Sequence, residues 1–294
     1  MMCATIRDAG STKYIFQPMN TLLSNPAIQS GIIPLIVAFV SAFLLKRFGG
    51  SWPGLAFAIA YYISVYLAAG FQFYPFTSTR KILMLGIIAI VLGVVIDAGK
   101  FRLKNLFGII FFLGAIATLW VIWPVLARQE GISFILMAIP SLIYVGWLTA
   151  GCHQIRHRPE QSAMIALALG LGTGISAILG ASALVGQLGI AIGAISGAFL
   201  LLHLVNQKIQ TGSTFMLPVG LLSGLLGIGA VIFASLPWYC LLPLVAIPLT
   251  SYIQLPGQLT KLKLLLLLAA FTLPFPIIAI VLTWVATNSS ESMY

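Results

Sequence analysis

Long apolar runs separated by short polar connections dominate the chain. A bilayer hydrocarbon core of about 30 Å needs roughly 20 apolar residues in an α-helix, and ten segments reach or approach that length. They are approximately Ala27–Leu45, Pro53–Gly70, Thr77–Ile96, Leu106–Leu126, Ile132–Ala150, Ala163–Ala181, Leu188–Val205, Phe215–Ala234, Tyr239–Ile253 and Leu264–Trp284. The pattern predicts an all-α, polytopic integral membrane protein with about ten transmembrane helices.

The ninth segment is the least regular. It has only 15 residues and contains Pro243 and Pro248. Proline lacks the backbone N–H that a continuous helix needs. We therefore expect this segment to be bent or to cross incompletely.

An uncharged stretch of 43 residues, 163–205, contains the sixth and seventh segments. As one helix it would be about 65 Å long, twice the hydrocarbon thickness. It must fold back, and Ser182–Gln187 is the predicted turn.

The polar connections divide the chain into two halves of five spans each. The predicted organisation is a polar tail at 1–26, helices one to five at 27–150, a polar loop at 151–162, helices six to ten at 163–285 and a polar tail at 286–294. Met19, shortly before the first apolar run, is a predicted alternative start of translation. Because five is odd, the halves have opposite orientations, which is compatible with a 5+5 inverted repeat.

Composition excludes an ordinary soluble domain, since 60% of the residues are hydrophobic and only 7% are charged, against about 25% charged in soluble proteins. The net charge of +10 sits in short clusters between apolar runs, which favours membrane orientation over nucleic-acid binding. Alternate connections carry ten Lys and Arg on one side and five on the other. The ten are Lys46, Arg47, Lys100, Arg102, Lys104, Arg156, Arg158, Lys208, Lys261 and Lys263. We assign the richer side to the cytoplasm of a bacterial-type inner membrane, with both termini outside.

Prolines interrupt the fifth and tenth spans near their middles. Pro140 and Ser141 lie in the fifth span, and Pro274 and Pro276 lie in the tenth. Corresponding interruptions in two halves indicate a substrate site in transporters, because they free backbone carbonyls for binding. The alternative is that these prolines only kink the helices for packing.

Glycines recur at four-residue spacing in spans six to eight. They are Gly170, Gly174, Gly189, Gly193, Gly197, Gly220 and Gly224. Small residues on one face let helix backbones approach closely in lipid. We expect spans six, seven and eight to form the tightest cluster, with a glycine-lined permeation path as the alternative.

No carboxylate lies deep in a predicted span. The five are Asp8, Asp97, Glu130, Glu160 and Glu291. Embedded ionisable groups are typical of proton-coupled carriers, so carboxylate-based proton coupling is disfavoured. Asp97 ends the third span, where we expect it to pair with Lys100 or Arg102.

Three histidines are the weak candidates for a metal or haem site. His153 and His157 are four residues apart, and His203 lies at the same end of the seventh span. Arg156 and Arg158 interleave the first two, and their positive charge opposes a bound cation. We predict a solvated basic loop around His153 and His157, and a snorkelling or hydrogen-bonded helix position for His203, with no metal and no cofactor.

One catalytic arrangement needs consideration. The sequence Gly180-Ala-Ser-Ala183 resembles the Gly-x-Ser-Gly environment of rhomboid serine proteases, which would imply Ser182 as nucleophile and His203 as base. Here Ala183 replaces the second glycine, and the chain contains none of the common phosphate-loop or zinc-protease motifs. We predict that the protein is not an enzyme.

Two functional classes fit these features. The first is a small-molecule permease embedded in the lipid bilayer, and it resembles drug/metabolite-type carriers only in span count and in the 5+5 repeat with which the halves are compatible. Those carriers are drawn with both termini inside, which is a difference. The second is a non-catalytic subunit or assembly factor of a larger complex, with other membrane subunits as partners. We favour the permease, and we expect no nucleic-acid partner.

Overall fold

The computed structural model describes residues 25–70, 76–99, 105–205, 209–253 and 260–291, and these residues form helices without any strand. The helices are α1 Ile28–Phe48, α2 Trp52–Ala69, α3 Ser78–Gly99, α4 Leu106–Leu126, α5 Ile132–Gln154, α6 Pro159–Gly180, α7 Ala183–Leu204, α8 Gly212–Ala234, α9 Trp238–Tyr252, α10 Lys261–Thr272 and α11 Pro274–Glu291. Within these ranges nine helices are long and apolar enough to cross a membrane, with α10 and α11 counted as one rod. The all-α, multi-pass architecture is confirmed. The predicted Met19 start lies outside the described residues.

Large apolar side chains cover the outside of the bundle. Val91, Phe112, Leu136 and Leu266 are each more than half exposed. Contiguous apolar surface on this scale is incompatible with water and suits lipid. The outer surface therefore has the character of a multi-pass membrane protein.

Helix α8 occupies the centre and is the most deeply buried of the long helices. It packs against α3 on one side and α5 on another, and it also contacts α6 and α7. The closest pair in the bundle is α6 with α7, while α1 and α2 cover α7 and α11 covers α6. The core thus lies around α6 and α8.

The described residues of the connections that follow α1, α3, α5, α7 and α9, together with the helix ends beside them, meet at one end of the bundle. Contacts there join Gly54 to Thr211, Asp97 to Ser213, Arg156 to Thr211 and Arg158 to Ser251. We call this the basic end, because the described cations of the richer set all lie on these connections or beside them: Lys46, Arg47, Arg156, Arg158, Lys261 and Lys263. The chain therefore alternates between two ends as the charge pattern predicts.

Two predicted boundaries are wrong. The turn between spans six and seven is only Ala181 and Ser182, and α7 already begins at Ala183. Gly186 explains the difference, since it packs directly against Gly174 of α6 and lets the helices pair from their first turn. The predicted polar loop at 151–162 shrinks to 155–158, because α5 continues through residues that pack inside the bundle.

Candidate functional site

Helix α9 is built from three short helical turns. They are a 3₁₀ turn at Trp238–Leu241, an α turn at Leu242–Val245 and a second 3₁₀ turn at Ile247–Tyr252. Pro243 and Pro248 remove two backbone donors, so a continuous hydrogen-bond ladder cannot form. The predicted irregularity of the ninth segment is confirmed.

Although α9 is short, it runs antiparallel to α6 along the full length of that helix. Leu236, just before α9, packs against Gly180 at the far end of α6. At the basic end, the Ser251 carbonyl accepts a hydrogen bond of 3.0 Å from Arg158 Nη1. The 3₁₀ turns rise about 2.0 Å per residue. The 15 residues of α9 can therefore extend from one end of α6 to the other.

The fifth and tenth predicted spans both contact α9. From α5, Trp147 Nε1 donates a hydrogen bond of 3.0 Å to the Val245 carbonyl, and Gly151 packs against Pro248. From α11, Pro276 packs against Gly172 of α6 together with Leu244. The irregular backbone of α9 thus lies between the two interrupted spans.

Two buried hydroxyl groups without a partner in the described structure lie on the faces of α5 and α6 that meet α9. The Tyr144 hydroxyl lies close to Gly227 together with Leu241, and Ser176 is one turn from both Gly172 and Gly180, which contact Leu244 and Leu236. Other unpartnered hydroxyls are spread through the described interior, at Tyr61, Thr173, Ser213, Ser223 and Thr272. A buried polar group without a partner costs roughly 1–3 kcal/mol. By contrast, the Ser196 hydroxyl on α7 donates to the Ile192 carbonyl at 2.7 Å. The helices around α9 therefore carry unused hydrogen-bonding capacity in an otherwise apolar interior.

The four residues of the predicted substrate path are not brought together. Pro140 and Pro274 are exposed on the outside of the bundle. Ser141 is buried, but its hydroxyl donates to the Met137 carbonyl of its own helix at 2.7 Å. Only Pro276 reaches α9. The sequence feature that identifies α9 as the irregular element is the short ninth segment with its two prolines.

The predicted packing glycines serve two different interfaces. Four lie where α6 crosses α7: Gly170, Gly174, Gly189 and Gly193. Gly197 has only an ordinary contact, with Leu167 at 3.6 Å from a Cβ position. In α8, Gly220 and Gly224 face Leu148 and Val145 of α5. The eighth span therefore uses its glycines against the fifth span and not against the sixth and seventh.

Asp97 caps the central helix α8. Its Oδ1 accepts a hydrogen bond of 2.9 Å from the Ser213 N–H, and its Oδ2 accepts bonds from the Thr214 N–H and Oγ1 at 2.9 and 2.8 Å. Gly212 has φ +64° and touches the carboxylate, which leaves no room for a Cβ. The expected partners Lys100 and Arg102 lie outside the described residues, and sequence reasoning missed this cap.

The histidines do not form a common site. His153 is only 2% exposed, and its Nε2 lies 2.6 Å from Arg156 Nη1. His203 is also buried, with its ring nitrogens 2.7 and 3.2 Å from the Phe199 and Ile209 carbonyls. The prediction of a solvated loop is therefore wrong for His153, whereas His203 is a hydrogen-bonded helix residue, one of the two positions predicted for it.

His157 differs from these two, because its side chain is exposed at the basic end. Partial desolvation and then the Arg156 guanidinium lower its pKa below the ordinary value, while Asp97 acts in the opposite direction. This shift favours the neutral form of its ring. Across the described ranges no three His, Cys, Asp or Glu side chains are grouped so that they could hold a metal ion.

Ser182 and His203 lie at opposite ends of the same helix, α7. At a rise of 1.5 Å per residue they are about 30 Å apart. This geometry excludes them as a catalytic pair.

Comparison with known proteins gives no family. The chain matches no known protein-family model and has no significant sequence similarity to a curated protein.

Proposed function

We propose that the protein is a small-molecule permease whose substrate path follows α9. The observation that supports this most strongly is an interrupted helix that runs the length of the bundle beside the unpartnered hydroxyls of Tyr144 and Ser176. Interrupted helices free backbone carbonyls for substrates and are typical of transporter sites. In lipid, such backbone is tolerated where it is buried in protein or lines a cavity.

The surroundings of α9 favour a neutral polar substrate. The unpartnered groups at Tyr144 and Ser176 are hydroxyls, which donate and accept hydrogen bonds but carry no charge. Asp97, at the end of α3, is occupied as the cap of α8. Transport therefore proceeds without carboxylate-based proton coupling.

The proposal includes the orientation of the protein in the membrane and the symmetry between its two halves. The basic end faces the cytoplasm of a bacterial-type inner membrane by the positive-inside rule, so both chain termini lie outside. The 5+5 inverted repeat would relate α5 to the α10–α11 rod, which both contact α9. Movement of these two against α9 would open the path to each side in turn.

Flux through purified protein in liposomes tests the proposal. Stopped-flow light scattering with small polyols, sugars and neutral amino acids should show solute entry that empty liposomes lack. Ser176→Ala should lower or redirect this flux, while Ser196→Ala is the matched control with an equally buried hydroxyl on α7. Comigration with other membrane subunits and no flux for any solute would favour the non-catalytic subunit instead.

A further inference from the structure

A cavity of about 450 Å³ opens at the basic end, between the start of α6 and the first turns of α10. It is lined by His157, Arg158, Pro159, Glu160, Gln161, Leu264 and Leu268. It lies where a membrane helix begins, which is the depth of lipid headgroups. Its walls combine two opposite charges with two leucines.

The cationic wall is held in place by the protein. Arg158 Nη1 donates to the Gln161 Oε1 at 3.2 Å and to the Ser251 carbonyl at 3.0 Å. No acceptor for Nη2 or Nε is found among the described residues, so this edge of the guanidinium is available to a ligand. An oriented guanidinium edge is well matched to a phosphate group. The ring of His157, which also lines the cavity, adds a further hydrogen-bonding group.

The opposite wall requires a second charge on the ligand. Glu160 lines the same cavity and forms no ion pair with Arg158 in the part of the chain that the structure describes. A purely anionic ligand would be repelled by this carboxylate. A ligand with a phosphate and a primary ammonium satisfies both walls.

The apolar wall points to a lipid rather than a soluble phosphate ester. Leu264 and Leu268 are one turn apart on α10 and lie about 5 and 10 Å beyond its start. This places them where the glycerol and the first methylenes of a lipid would follow its headgroup. A soluble ester would leave this wall unused.

We propose that this cavity binds the headgroup of a phosphoethanolamine lipid. Arg158 binds the phosphate, Glu160 accepts hydrogen bonds from the ammonium, and Leu264 and Leu268 contact the start of the acyl chains. This site is separate from the substrate path along α9.

Native mass spectrometry of the full chain in mild detergent tests the site. The probes are phosphatidylethanolamine, phosphatidylglycerol and phosphatidylcholine with identical acyl chains, and soluble phosphoethanolamine. We expect one saturable site with preference for phosphatidylethanolamine. Arg158→Gln should weaken its binding by about tenfold, and Glu160→Gln should abolish the preference over phosphatidylglycerol. Arg47→Gln, at an exposed cation of the same end, should change neither.

Two results would overturn the proposal. Equal binding of phosphatidylethanolamine by the wild type and Arg158→Gln would show that the cavity is not the site. Soluble phosphoethanolamine binding as tightly as the lipid would assign the cavity to a free phosphate ester. If Arg158→Gln fails to fold, Arg158→Lys with Glu160→Gln gives the same comparison, since lysine keeps the charge but loses the planar edge.

Discussion

The two sides of α6 pack against different kinds of helix, a regular one on one face and an interrupted one on another. Towards α7, Gly170 and Gly174 let two regular helices touch backbone to backbone. Towards α9, Gly172 receives Leu244 and Pro276, and the next turn carries the unpartnered Ser176. The first face joins two regular helices, and the second combines irregular backbone with an unpartnered hydroxyl.

The difference has a physical cause. Between helices in lipid there is little hydrophobic driving force, so stability comes from van der Waals packing at close approach. The α6–α7 face maximises that packing. The α9 face has fewer regular backbone hydrogen bonds and contains a buried hydroxyl without a partner. Both features lower stability, and in proteins they are typical of functional sites.

The largest loss of stability is expected from a substitution at the contact between α6 and α7. In Gly170→Ala the new Cβ would overlap the backbone of Gly193, so the helices must separate, at a cost of about 3 kcal/mol. Thermal unfolding in detergent should show this loss. Gly197→Ala is the control, because its Cβ would lie at an ordinary 3.6 Å from Leu167; equal stability of both variants would contradict the close-packed face.

The next largest loss of stability is expected at the cap of the central helix α8. Asp97→Ala removes the cap of α8 and should cost about 1–2 kcal/mol, measured by the same unfolding assay. Glu130→Ala, in a connection at the opposite end, should have no measurable effect. A fully stable Asp97→Ala protein would show that the cap contributes little.

A smaller effect is expected where α9 is held to α5. Trp147→Phe removes the hydrogen bond to the Val245 carbonyl and should cost about 1 kcal/mol. Cys240 in α9 is buried and free, so its labelling by a maleimide should become faster, as read by peptide mass spectrometry. Trp123→Phe, at an exposed tryptophan, is the control; unchanged labelling in both variants would mean that α9 is fixed by other contacts.

The smallest effect on stability is expected at the unpartnered hydroxyls. Ser176→Ala removes a buried group that has no hydrogen bond to lose, so unfolding should be unchanged or slightly shifted towards higher stability. Solute flux should nevertheless fall relative to Ser196→Ala. Loss of stability in Ser176→Ala alone would show that the hydroxyl has a structural partner.

The sequence predicts the long helices well because apolar length is a local property. It also predicts the irregular α9, since proline acts on its own hydrogen bonds. The rotation of each helix is not local, so spacing alone does not reveal that Gly220 faces α5 while Gly170 faces α7. The cap at Asp97 depends on a contact 116 residues away, and packing within the bundle buries His153 despite its polar neighbours.

Cysteine-accessibility mapping of the two ends of α9 tests the central claim, that this short interrupted helix crosses the membrane. Single cysteines at Ser235 and Thr260 flank it, and single cysteines at Gln129 and Arg47 report the far end and the basic end. With an impermeant maleimide on sealed vesicles, we predict that position 235 reacts from the same face as 129, and position 260 from the same face as 47. Reaction of positions 235 and 260 from one face would contradict a crossing and remove the proposed path along α9.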